Sequence, residues 1–296
     1  MSALAVLALL ASLSPAATPS PKHDRAFWQR IVASDFAVPP GESAVALIRE
    51  LNGFLSSPDP DLRDGFAYSI TAAWIYQKRL VPPDALRNLA IEWQSNLTKH
   101  VGDRNNDSVL LRSFSALNLS VVAALDNAAP FLSENDYRAL LGSALGYLHA
   151  ERDLRGHDQR KGWLHATAHT ADLLKFLCRS PRMRTEQQAL VLQGLSQRLM
   201  SADVVFTHGE TDRLARVVLS LYGRADLDRD GFRRWLSLVE APPVDAHVSD
   251  AALTRRENVK NFLAGLVALT AIAPGDLAAK VADLQPDVLS ALKRFN

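Results

Sequence analysis

The densest group of reactive side chains lies between Lys161 and Leu174, in KGWLHATAHTADLL. His165, His169 and Asp172 stand at i, i+4 and i+7, a spacing that places two imidazoles and a carboxylate on one helical face. Such a stripe supports metal ligation, proton transfer, or a buried polar network. As ligands, His165, His169 and Asp172 suit Zn²⁺ or another borderline divalent ion. The pattern differs from the metalloprotease helix, because Ala166 stands where that motif needs a general-base Glu. A second segment, FTHGETDRLAR (206–216), gathers His208, Glu210, Asp212 and Arg213 at an expected helix start. Its carboxylates can ligate an ion or orient the imidazoles. Trp163 opens the first segment and completes the candidate polar site. In the structural alternative, these groups satisfy one another across a helix contact, and Asp212 and Arg213 form a plain ion pair with a neighbouring helix.

Other candidates carry less chemistry. Arg112, in DSVLLRSF, and Lys260, in ENVKNF, are cations on otherwise apolar helices. They can contact an anionic ligand if those helices line a groove, or stand exposed or at caps. Ser113 has no nucleophile-elbow pattern around it. DLDRDGF (226–232) begins like a calcium loop, but Ser237 occupies the position of the bidentate Glu, so it reads as an Asp-capped helix start. The single cysteine, Cys178, excludes an intramolecular disulfide and a cysteine-rich zinc site. Its apolar setting predicts an inert core thiol. Neither a glycine-rich phosphate loop nor a dinucleotide fingerprint is present.

The elements that must position these residues are helical. From Arg25 onwards the apolar periodicity fits helices, with Val45, Ile48, Leu51 and Leu55 on one face as an example. SPDPDLRD (57–64) is a strong break. Helices are expected at about 82–99, 107–125, 133–150, 163–179, 185–201, 210–223, 228–240, 252–272 and 284–294, with Pro and Gly at the joints. Ser133 followed by Asp136 reads as a capping box. No period-2 segment stands out, so no sheet is expected. About a dozen helices with short joints predict an all-α chain of antiparallel helix pairs, stacked as a HEAT- or armadillo-like superhelix with units of roughly 40 residues.

Composition narrows the function classes. Lys plus Arg (33) nearly balances Asp plus Glu (32), and a net charge of +1 gives no bulk case for nucleic acid or anionic membrane. The aromatics are spaced like core residues rather than a base-stacking platform. The N-terminus departs from this average. ALAVLALLASL (3–13) is an apolar run too short to span a bilayer, and SPAATPSP follows it. The pair resembles a secretory signal over residues 1–17, cleaved after Ala16 or Ala17, although no Lys or Arg precedes the run. A periplasmic or secreted mature chain without a transmembrane helix is expected, with one helical domain over 24–296. If the run is instead a packed or loose tail, the location is cytoplasmic.

Several stretches together resemble a known bacterial family, the domain of unknown function numbered 2785. They are SDFAVPPGE (34–42), SPDPDLRDGFAYSI (57–70), DSVLLRSFSALNLS (107–120), FLSENDYRALL (131–141), ERDLRGHDQRKGWLHATAHTADLL (151–174) and ENVKNFLAGL (257–266). They occur in order across residues 25 to about 270. The resemblance implies an all-α, HEAT-like chain and brings no activity, substrate or catalytic residue. Two functions therefore stay open: a solenoid that binds a peptide, protein or small ligand on its concave face, or a metal-assisted hydrolase centred on His165, His169 and Asp172.

Overall fold

A computed structural model describes residues 22–239 and 249–295. The proposed signal segment, residues 1–17, lies outside the described residues. The chain is all-α. Helix α1 (Arg25–Ala33) is capped by the Asp24 carboxylate, which accepts from the Phe27 amide at 2.8 Å. After α2 (Ala44–Leu51), the break at Ser57–Pro60 leads into an unusual helix. Its central turn, α3 (Ser69–Ala72), is flanked by wide π-type turns at Asp61–Tyr68 and Ala73–Gln77. The Lys78 amide, for example, reaches back five residues to the Ala73 carbonyl at 2.9 Å.

The remaining helices are α4 (Pro83–Asn96), α5 (Ser108–Ala128), α6 (Glu134–Ala150), α7 (Ala166–Cys178), α8 (Thr185–Ser201), α9 (Glu210–Tyr222), α10 (Arg229–Leu238), α11 (Asp250–Ala271), α12 (Gly275–Val281) and α13 (Leu284–Leu292). Most start within a residue or two of the expected positions because local chemistry starts them. Ser133 and Asp136 form the reciprocal capping box at α6, and Asp228 caps α10 by accepting from the Gly231 amide at 2.8 Å. The sequence gives no sign of α12, a short helix directly after the Pro274 joint.

The helices pack in two rows. In one row α5, α7, α9, α11 and α13 are successive neighbours; in the other, α6, α8 and α10 are. The main apolar core extends from Trp28 to Phe295, and Leu154, Ala202 and Phe206 form a small second cluster. Helix α5 is the centre of the main core. This helix is long and apolar enough to cross a membrane, yet it is almost wholly buried within the protein and serves as its core helix.

Two expectations need correction. A small sheet does exist: β1 (His157–Asp158) pairs antiparallel with β2 (Gly162–Trp163), with His157 opposite Trp163. Two-residue strands are too short to produce a period-2 signal. The Asp158 carboxylate shapes the turn by accepting from the Arg160 and Lys161 amides at 2.8 and 2.9 Å. Helix α7 accordingly begins at Ala166 and not at 163, because Trp163 is taken up by the hairpin.

Candidate functional site

The hairpin belongs to a loop, residues 151–165, that is tied down by buried charge. Arg63, fully buried, donates to the carbonyls of Ser57 (2.5 Å), Lys161 and Trp163 (3.0 Å), and its guanidinium lies 4.8 Å from the Phe114 ring centre. Arg112, also fully buried, grips Glu151 through Nε (2.6 Å) and Nη2 (3.0 Å). Glu151 in turn accepts from the Arg152 and Asp153 amides. Arg198 donates to the Leu148 and Glu151 carbonyls, and burial pushes its guanidinium down to about 10. Lys161 pairs with Asp107 at 2.5 Å. Desolvating a guanidinium is costly, so three of them committed to one loop define its conformation closely.

His165 ends this loop as the N-cap of α7, in the left-handed conformation (φ 51°, ψ 33°), one that histidine adopts more readily than most residues. Its amide is shared between the Arg155 and Gly156 carbonyls. Its Nε2 donates to the His208 carbonyl at 2.9 Å and lies 3.5 Å from Glu210 Oε1. A carbonyl only accepts, so this contact fixes the proton on Nε2 and leaves Nδ1 as an acceptor without a hydrogen-bond partner among the described residues. Glu210 is the first residue of α9, where an acid suits the helix dipole, and its other oxygen accepts from the His208 amide at 2.8 Å. Gly156 makes room for this meeting. A methyl group there would stand 2.5 Å from Glu210 Oε1 and 2.6 Å from His208 Nδ1.

One turn into α7, His169 meets Ser113 of α5: Nδ1 and Oγ are 2.8 Å apart. The Ser113 hydroxyl donates its one proton to the Leu164 carbonyl, so His169 Nδ1–H must donate to Ser113. The two histidines are therefore opposite tautomers, with ring centres 5.6 Å apart. Burial holds both below the ordinary histidine value; His169, with Phe114 against its ring, is held well below it, and the nearby charge of His165 acts in the same direction.

Asp172 lies apart from this pair. Its two oxygens are taken by Arg213 and by Lys175 (2.8 Å), so His165, His169 and Asp172 do not gather around one point. Among the described residues no three His, Cys, Asp or Glu side chains are arranged to hold an ion. Of the second segment, His208 and Glu210 join the site. Asp212 is exposed and faces Gly265 of α11. Arg213 forms the ion pair with a neighbouring helix that the structural alternative expects, its partner being Asp172 of α7. Arg112 is an internal ion-pair partner, neither exposed nor capping nor open to an anion, because it sits on an inward face of the core helix. Lys260 remains on the surface beside Glu257 at 3.8 Å. Cys178 is buried, and burial raises its thiol.

Above the buried pair lies an exposed aromatic surface. Trp163 stacks on His165 (4.7 Å, 19°), and 40% of it remains accessible. His157 packs edge-on against Trp163 at 4.8 Å, and His208 lies 6.3 Å from it. The reactive-residue pattern did not identify Arg63, Glu151, Gly156, His157 and Ser113 as parts of the site. The crowding of charge in ERDLRGHDQRKGW was the one available signal.

No curated protein and no solved structure matches the chain. Residues 97–268, more than half of the 296-residue chain, match the model of the family described as Protein of unknown function (DUF2785), and the chain belongs to that family.

Proposed function

We propose that this protein is an exported, HEAT-like binding protein. It takes up a peptide or protein segment at the surface formed by Trp163, His157 and His208, on the concave side of the helix stack. The supporting observation is the contrast between that surface and its foundation. Arg63, Arg112, Ser113 and Glu210 lock the loop beneath, while a large aromatic side chain is left accessible at its crest. Rigid, half-exposed Trp and neighbouring polar tips are the anchors that interfaces favour, because little side-chain entropy is lost on binding. The N-terminal run supports export, and the two rows of helices support the repeat architecture.

Selection of a random peptide library on the mature chain tests this reading. Enriched peptides should bind Trp163→Ala at least about tenfold more weakly, with the fold retained, since the lost stacking costs only about 1 kcal/mol. A library that yields no binder, or binders indifferent to Trp163→Ala, contradicts it.

A second reading is a metal-assisted hydrolase, favoured by His165 Nδ1 and His169 Nε2, two imidazole nitrogens on neighbouring rings that have no partner among the described residues. Stoichiometric Zn²⁺ in untagged protein, lost in His169→Ala, would support it. Protein free of metal whose stability is unchanged by chelator would refute it.

A further inference from the structure

The C-terminal ends of α7, α9 and α11, with the start of α12, line a half-open cavity of about 860 Å³, of a size that suits small organic ligands. One wall is apolar, built from Leu219, Ile272, Ala273 and Leu277. Ile272 is 74% exposed and leaves this wall open to solvent. The other wall carries three guanidiniums, and they are not equivalent. Arg224 is fully engaged, with Asp226 at 2.8 and 2.9 Å and the carbonyls of Cys178, Ser180 and Met183. Among the described residues, the Arg179 guanidinium meets only the Ser220 hydroxyl at 3.1 Å and the Phe176 ring. Arg216 has no hydrogen-bond or ion-pair partner among the described residues. The one carboxylate of the wall, Asp226, is held by Arg224, so two cationic groups face an apolar hollow without a counter-charge.

We infer that this cavity binds a small amphipathic monocarboxylate, its carboxylate held by Arg179 and Arg216 and its hydrocarbon body laid along Leu219, Ile272 and Leu277. The charge pattern selects the class. Two guanidiniums complement a carboxylate through paired, charge-assisted hydrogen bonds, and an apolar wall of this extent gives no partner to a sugar or a polyanion. Burial already holds the Arg179 guanidinium below its ordinary value, and the like charge of Arg216 acts in the same direction. A bound carboxylate offsets both. This site stands at the opposite ends of α7 and α9 from the imidazole cluster, so it neither depends on the peptide-binding surface nor competes with it.

Titration calorimetry of the full chain with decanoate, decan-1-ol and acetate tests the assignment. Decanoate should bind at micromolar concentration, with decanol and acetate each weaker by on the order of tenfold or more. Arg216→Gln, an exposed change that leaves the melting temperature unmoved, should weaken decanoate by on the order of tenfold and leave decanol unchanged. Arg179→Gln should act likewise. Equal affinity for decanol and decanoate, undiminished decanoate binding to Arg216→Gln, or no binding of decanoate at millimolar concentration would overturn it.

Discussion

Replacing Glu151 by Gln removes one charge from the pair that anchors the 151–165 loop and changes little else in size. The side chains of both partners are almost wholly inaccessible, at 0% for Arg112 and 3% for Glu151. Arg112 keeps its bonds to the Lys99 and His100 carbonyls and to Ser108, but no anion remains beside its buried charge. Breaking a buried pair from one side costs about 3–5 kcal/mol, much more than the ~1 kcal/mol or less of an exposed pair. For a chain of this length each kcal/mol lowers the melting temperature by about 2 °C, so Glu151→Gln should melt about 6–10 °C below the parent protein. Urea unfolding should show the same loss in ΔG with an unchanged m-value. A decrease under about 2 °C would refute the reasoning, since it would mean that water screens the pair and the loop is not anchored by buried charge.

Ser113→Ala leaves the Leu164 carbonyl and His169 Nδ1–H without their shared partner, and should cost about 1–3 kcal/mol in denaturant unfolding. Gly156→Ala pushes a methyl group into the Glu210 and His208 side chains; about 1–3 kcal/mol should be lost, with changed His165 and His208 resonances. Stability should also fall with acid. The unfolded chain protonates its histidines near 6.5, whereas the folded chain holds His165 and His169 neutral to lower pH, so protons favour the unfolded state below that value. The stability associated with His169 is intact above pH 7 and reduced by on the order of 1.4 kcal/mol at pH 5.5; His169→Gln should flatten the measured pH profile.

Much of the helical fold was legible because its punctuation is local. Ser133 and Asp136 sit three residues apart and cap each other whatever the rest of the chain does. Prolines and Asp228 start the neighbouring helices in the same way. The site was legible only in part. His165 and Glu210 do meet, as the crowding of polar groups suggested. Asp212, two residues after Glu210, faces elsewhere, which the helical period itself requires, since i and i+2 share no face. What local pattern could not reveal was long-range pairing. Arg112 finds Glu151 across 39 residues, and Arg63 reaches Trp163 across 100. These contacts turn the expected helix start at 163 into a hairpin and place His165 in a left-handed cap.

His165 and His169 form a buried, neutral polar pair that supports the Trp163 surface. Nitrogen-15 NMR of the histidine side chains, followed from pH 8 to pH 5 with and without Zn²⁺, reads this directly. His165 should carry its proton on Nε2 and His169 on Nδ1, His169 should stay neutral well below the ordinary histidine range, and Zn²⁺ should leave both spectra unchanged. Titration of His169 near 6.5, or a Zn²⁺-induced shift of both rings, would contradict it and make the pair a reactive centre.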